Sequence, residues 1–285
     1  MQCTHSFLFD DWHVVADMEL LTQQTPIATT LFESPVTVQC DDNGTVICEC
    51  KGSALPTQTR YGFVWTSLGE PARDIVHIPE AYEDDRYVVS GGSFFVRTSG
   101  LRVVENFLDM GHFPFVHSGW LGDEPHTEVK PYEVTLTEEN EILATECYFH
   151  QPVASPTATG GIEVEYTYRV YRPFTVALYK TNPVCDGRMD YIVLFIQPVS
   201  PETCVDHSLL CYVKEGMKRS DLRWFMQLIF SQDKPILENQ IPRRLPLDPR
   251  AETPIRADKV AIVYRRWLRD HNVSYGAIPA QGDPR

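Results

Sequence analysis

From Glu128 onward the chain runs through EVKPYEVTLT, EILATECYFH, GIEVEYTYRVYRP, TVALYKT, MDYIVLFIQPV and SLLCYVKE. Apolar and polar residues alternate along these segments, and a period of two sends successive side chains to opposite faces of a strand. Pro, Gly and Asn separate the segments, so an antiparallel sheet is the expected core.

The flanks fill in the rest. HVVADMELL, TPIATTLFE, PVTVQC and TVICEC read as short strands within residues 13–50, with Asp42-Asn43-Gly44 as the hairpin turn between the last two. The pattern restarts at YGFVWTSLG, EPARDIVHIPE reads as a loop crossing into the main domain, and SFFVRTSG as a strand. LRVVENFLDMGH carries Val103, Val104, Phe107 and Leu108 at helical spacing. Two helices close the chain. Ser220 is the predicted cap of DLRWFMQLIFSQDKPILENQ. ADKVAIVYRRWLRD places Val260, Val263, Tyr264, Trp267 and Leu268 on one face, with Arg265, Arg266 and Arg269 elsewhere as a helix surface. The expected class is α+β: a curved antiparallel sheet with helices packed into it.

With 285 residues there is room for one large domain and a smaller appendage. A formal charge of −14 argues against nucleic acid and anionic membrane as partners. No apolar run approaches the ~18 residues that span a bilayer, and MQCTHSFLFDDW lacks the basic and apolar regions of a signal peptide. Cys3, Cys40, Cys48, Cys50, Cys147, Cys185, Cys204 and Cys211 follow no disulfide framework, which fits reduced thiols in the cytoplasm.

The stretch ENFLDMGHFPFVHSGW, residues 105–120, sets titratable groups into an apolar run. A pair of His five apart is by itself a weak signal; Asn106 and Asp109 just upstream strengthen it. On a helix Asn106, Asp109 and His112 would form one polar ridge. Pro114 cannot donate to the carbonyl of Met110, so a kink or stop is predicted there, letting His112 and His117 converge. Phe113, Phe115, Val116 and Trp120 would shield that point. Two His and one carboxylate with open positions is the ligand set of non-haem iron(II) oxygenases. Asp109, behind His112, suits the task of accepting its free N–H. Asp233 in FSQDKPILENQ is the candidate third ligand, with Pro235 disturbing the local helix bonding. Trp224, Phe225, Gln227 and Phe230 on the same helix are candidate substrate-binding residues.

The Asn106, Asp109, His112, His117 pattern resembles the iron motif of the catalytic subunits of Rieske-type non-haem iron aromatic oxygenases. FLFDDWHVVADMELL, TRYGFVWTSLGEPA and ADKVAIVYRRWLRD are similar to the family's opening, its exit from the Rieske domain and its last helix. The resemblance implies a helix-grip (START-like) catalytic domain and one mononuclear Fe(2+) on His112, His117 and Asp233. It implies a supporting role for Asn106 and makes Asp109 the bridge from the incoming electron donor to an iron ligand.

One departure is large. A Rieske [2Fe–2S] cluster needs Cys-x-His and, shortly after, Cys-x-x-His. Cys3-Thr4-His5 and Cys147-Tyr148-Phe149-His150 have those forms but lie on opposite sides of the iron motif, and the second reads as strand. Cys48 and Cys50 have no His nearby. The expected organisation is therefore a cluster-less β remnant over residues 1–66 and an iron domain over 67–285, with no [2Fe–2S] in this chain. Such a member resembles the cluster-less component of bacterial methylxanthine N-demethylase systems. That resemblance implies O₂-dependent conversion of 7-methylxanthine to xanthine and formaldehyde, a small heteroaromatic substrate, and an oligomer. It also implies NAD(P)H used indirectly through a reductase carrying an extra Rieske domain, and a glutathione-transferase-like structural subunit. The other reading is an iron-free helix-grip module that binds a ligand or props up a complex. With Asn106, Asp109, His112, His117 and Asp233 all in place, the enzyme is favoured.

Overall fold

In a computed structural model, which describes residues 6–21, 25–41, 43–154, 160–214 and 216–280, the alternation resolves into one seven-stranded antiparallel sheet. A single-turn helix α1 (Ser6–Phe9) opens the described chain. Short strands follow: β1 (His13–Asp17), β2 (Ile27–Leu31), β3 (Ser34–Cys40), β4 (Val46–Cys50), β5 (Ser53–Leu55), β6 (Thr57–Arg60) and β7 (Phe63–Thr66). Then come β8 (Arg86–Val96), helix α2 (Gly100–Leu108), one-turn helix α3 (Phe113–Val116), β9 (Glu133–Leu136) and β10 (Ile142–Gln151). β11 (Ile162–Arg172), β12 (Thr175–Thr181), β13 (Met189–Ser200) and β14 (Thr203–Val213) lead to helices α4 (Arg219–Asn239) and α5 (Lys259–Asp270). The large sheet runs β8-β14-β13-β12-β11-β10-β9.

Strand parity explains why both faces of this sheet are apolar. Val164, Tyr166, Tyr168, Leu178, Ile192, Leu194, Leu210 and Tyr212 join the core on the face covered by α2 and α4. The intervening residues, among them Tyr191, Val193, Phe195 and Leu209, pack on the other face against Val14, Phe63 and Trp65 of the N-terminal strands. The Trp65 and Phe195 rings meet at 4.7 Å, edge to face. β1, β7 and β6 form a three-stranded sheet, and β2 to β5 a four-stranded one. At the β3–β4 turn the Asp41 carboxylate accepts from the N–H groups of Asn43 and Thr45, and Gly44 takes a positive φ of 79°. Asp42, part of the predicted turn, lies outside the described residues, as do Cys3 and His5.

Two local expectations, the cap of α4 and the surface position of Arg265, need correction, and the helix drawn through Pro235 stands. α4 starts one residue before the predicted cap: the Asp221 carboxylate, not Ser220, accepts the N–H of Lys218 at 3.1 Å. Pro235 denies the Ser231 carbonyl its helical donor, yet α4 continues to Asn239. Arg265 of α5 is buried rather than on the helix surface, paired with Glu105 at 2.5 and 2.9 Å and with Glu252. Arg102 of α2 completes this four-residue network, 3.1 Å from Glu105 and 2.6 Å from Glu252. A buried guanidinium has to be paired, and here the pairs fasten α2 to α5. Among the described residues, no helix is long and apolar enough to cross a membrane.

Candidate metal centre

α2 is started by Ser99, whose hydroxyl accepts the N–H of Leu101, and buries Leu101, Val103, Val104 and Leu108. It stops at Leu108, well before Pro114, because Asp109 turns extended and its carboxylate takes the N–H of Gly111 at 2.7 Å. An Asx turn of this kind offers the backbone an alternative to the helix ladder. The predicted ridge from Asn106 to His112 is thus not helical. The chain restarts as α3, with Pro114 near its beginning, where no N–H is missed. His112 stands just before this turn and His117 just after it. One helical turn, rather than a kink in a long helix, brings the two imidazoles together.

Both rings are held from outside by their Nδ1 atoms. His112 Nδ1–H donates to Asp109 Oδ2 at 3.0 Å, the contact expected of Asp109. His117 Nδ1–H donates to the side-chain oxygen of Gln232 at 2.8 Å. These bonds leave both Nε2 lone pairs facing inward, the state a metal ligand needs. The two Nε2 atoms are 3.1 Å apart, and Asp233 Oδ1 from α4 lies 3.3 Å from His112 Nε2 and 3.1 Å from His117 Nε2. Asp233 Oδ1 is buried and has no hydrogen-bond donor despite these neighbours. Three acceptors facing one point repel each other unless a cation sits among them. Metal–ligand bonds of about 2.1 Å separate donors on one octahedral face by about 3.0 Å and tetrahedral donors by about 3.4 Å, so the observed triangle fits one ion.

In the metal-free fold a proton takes the cation's place. Burial works against charge on His112, but the neighbouring carboxylates of Asp109 and Asp233 outweigh that and hold it up at about 9. Asp233, despite burial, is held far below the usual carboxylate range by the two imidazoles. A divalent ion has to expel the His112 proton. Its affinity is therefore expected to rise about tenfold per pH unit up to about pH 9 and to level off above it. Anaerobic titration with Fe(II) or Co(II) across that range checks this, and a flat profile would remove the proton from the site. By the same linkage the metal-free fold has the full His112 contribution below its ordinary pKa of 6.5 and loses it as pH rises through about 9.

The triad forms the edge of a largely apolar cavity between α2, α4 and the sheet, lined by Phe113, Leu194, Phe225 and Phe230 among others. A second, open cleft on the far side of His112 is lined by Asp109, Glu252, Asp258 and Arg265. Asn106 and His112 belong to both walls.

The chain matches the family described as vanillate O-demethylase oxygenase C-terminal domain over residues 96–271. It is 45% identical to a probable methylxanthine N7-demethylase of Pseudomonas sp. (strain TJI-51), over 97% of this chain and 99% of that one. It is 27% identical to the methylxanthine N1-demethylase of Pseudomonas putida, over 81% of this chain and 68% of the relative. The chain belongs to the Rieske-type oxygenase family. The fold agrees: the structure of Pseudomonas putida CBB5 NdmA with caffeine superposes with a TM-score of 0.75 at 20% identity, covering 93% of this chain and 91% of that one.

As an oxygenase of this family the chain places its predicted site residues unevenly. His112, His117 and Asp233 converge, and Asp109 stands behind His112. Asn106 hydrogen-bonds neither imidazole. Phe225 and Phe230 line the cavity, but Trp224, 54% exposed, and Gln227 lie on the outer face of α4 and do not reach it. Phe113 shields the triad as expected, whereas Phe115 is 65% exposed. Gln232 was missed, although it adjoins Asp233; nothing in its spacing marked it as the support of His117. Tyr166, Tyr168, Lys180 and Tyr212 in the cavity were also missed, because they read as ordinary members of alternating strands. Cys147 is buried in β10, while His150 on the same strand gathers with Asp123 and His126 away from the triad. Among the described residues, neither gathered set of possible metal ligands contains a cysteine.

Proposed function

We propose that the chain catalyses O₂-dependent N-demethylation of a methylxanthine, 7-methylxanthine to xanthine and formaldehyde, with one Fe(2+) held by His112, His117 and Asp233. The observation that carries this reading is the convergence of three ligand atoms beside an apolar cavity, in a chain 45% identical over nearly its whole length to a probable methylxanthine N7-demethylase. When bound, iron(II) would supply activation of O₂ toward the methyl C–H bond. The balanced reaction takes the N-methyl compound, O₂, NAD(P)H and a proton to the N–H compound, formaldehyde, water and NAD(P)⁺.

The chain's own residues prepare that chemistry. Asp109 and Gln232 hold the Nδ1 side of each imidazole, so that once the His112 proton has left, both Nε2 atoms already face the metal. Phe113, Phe225 and Phe230 keep water from the cavity side, and the sheet face orients a flat ring against α4. Asp109, a third exposed, opens on the second cleft and joins it to His112. That cleft is where an electron donor would dock: a reductase carrying an extra Rieske [2Fe–2S] domain, oxidising NAD(P)H. Residues 1–66 would then be the cluster-less remnant of a Rieske domain and 67–285 the iron domain. A glutathione-transferase-like subunit, an oligomeric assembly and a cytoplasmic setting belong to the same reading. An iron-free ligand-binding module is disfavoured, since such a module has no use for three inward-facing acceptors.

Iron-loaded protein with 7-methylxanthine, O₂, NADH and such a reductase should release one formaldehyde and one xanthine per NADH consumed. Removing the reductase's extra Rieske domain should abolish this. Formaldehyde from vanillate but none from methylxanthines would replace the reading by O-demethylation, and no formaldehyde from either would end it.

A further inference from the structure

The cavity beside the triad is largely apolar, and two polar side chains in its wall away from the triad, Lys180 and Tyr168, make no hydrogen bond among the described residues. Lys180 on β12 is 1% exposed and lines the cavity with Leu178, two residues earlier on the same face. Its ammonium lies 5.9 Å from the centres of the Tyr166 and Phe225 rings. Among the described residues it makes no hydrogen bond or ion pair. The Tyr168 hydroxyl, one strand away on the same face, is likewise buried without a partner. Burying an unpaired ammonium is costly, so a side chain like this is kept for something the resting fold does not contain.

The obvious structural partner is Asp190, directly across from Lys180 in the β12–β13 pairing and fully buried. Asp190 is already occupied. Asn182 Nδ2 donates to its two oxygens at 3.0 and 3.2 Å, and the N–H of Val213 at 3.0 Å. It lies beyond ion-pairing distance of Lys180 and lends it only a longer-range attraction. Burial pulls the Lys180 ammonium down to about 8, which leaves it charged at neutral pH.

We infer that Lys180 is the specificity-determining anchor of the substrate cavity, donating to a ring-carbonyl oxygen of a planar heteroaromatic so that its methyl-bearing edge faces His112, His117 and Asp233. Tyr168 is placed to serve as a second donor. The inference deepens the methylxanthine reading and rests on it: a xanthine ring presents two carbonyl oxygens and otherwise flat, stackable faces, which suit two buried donors among aromatic walls. An aromatic carboxylate would offer the lysine a similar oxygen, so the test has to separate the two sources.

Equilibrium binding of 7-methylxanthine and of vanillate to iron(II)-loaded, anaerobic wild type and Lys180→Met would decide, together with iron content and Tm. The expected result is methylxanthine binding that weakens by about 10- to 100-fold in K180M, the range for a hydrogen bond to a charged group. Iron content should be unchanged and Tm unchanged or higher, since an uncompensated buried charge has been removed. Y168F should weaken binding several-fold. Affinity within twofold of wild type would overturn the inference. A lowered Tm in K180M would also overturn it, by making Lys180 a structural counter-ion of Asp190. Wild type that binds vanillate but not 7-methylxanthine would overturn the methylxanthine reading, while loss of vanillate binding in K180M would still support the lysine as an oxygen anchor. Binding of neither probe to wild type would overturn the inference as well.

Discussion

Asp233→Asn is expected to strip the protein of its iron and abolish turnover while leaving the fold intact. The carboxylate is one of three donors in a triangle 3.1 to 3.3 Å on a side, and the amide is its isostere. The substitution removes the only negative charge among those donors. Losing a mere outer hydrogen-bond partner of a ligand costs about 10- to 100-fold in metal affinity, so losing a ligand should exceed the upper end of that range. Iron per chain after anaerobic loading and gel filtration measures this directly. Circular dichroism and Tm of the metal-free forms guard against simple unfolding. The metal-free variant has a second signature: with the Asp233 carboxylate gone, His112 keeps only Asp109 to hold its proton, so its pKa should fall. NMR titration of the imidazole would follow that drop. A D233N protein that still carries one iron per chain would exclude Asp233 as a ligand.

The legibility of this fold and site depended on what each residue's neighbours in sequence could reveal. The sheet was readable because alternation is a local signal, and β10 to β14 each overlap a segment that alternates, β14 starting five residues before its own. The convergence of His112 and His117 was readable from composition and spacing, but its cause was not. The Asp109 carboxylate takes the Gly111 N–H and ends the helix before Pro114 can act, a competition between side chain and backbone that periodicity does not register. Which face of α4 meets the cavity was also hidden. Phe225 and Asp233 are eight residues apart and share the inner side, while Trp224 and Gln227, equally plausible by type, lie on the outer one. Helix rotation relative to the sheet is set by tertiary packing, not by the helix itself. Arg265 shows the same limit: it reads as surface until Glu105 and Glu252, remote in sequence, arrive to pair with it. Lys180 in TVALYKT occupies an inward position of a strand, and only the closed cavity makes its charge unusual.

Asp109→Ala is expected to separate iron binding from electron delivery. In the resting fold Asp109 has two occupied oxygens, one on Gly111 N–H and one on His112 Nδ1–H, and a flank a third exposed to the second cleft. Among the described residues no other carboxylate is hydrogen-bonded to the outer side of a triad imidazole, so a donor docked in that cleft would meet the metal through this residue. Truncation should lower iron affinity by about 10- to 100-fold through loss of the tautomer lock, a deficit that saturating iron overcomes. Turnover of the loaded variant with the Rieske-bearing reductase should nonetheless fall by far more, while 7-methylxanthine binding, governed from the opposite side of His112, stays near wild type. Asp109→Asn keeps one acceptor oxygen, enough for His112 or Gly111 but not both, and loses the charge, so it should regain part of the iron affinity and less of the turnover. Measuring formaldehyde per iron, rather than per protein, makes the two effects separable. Turnover per iron equal to wild type in D109A would confine Asp109 to holding its imidazole, and the path from the donor would have to enter the site elsewhere.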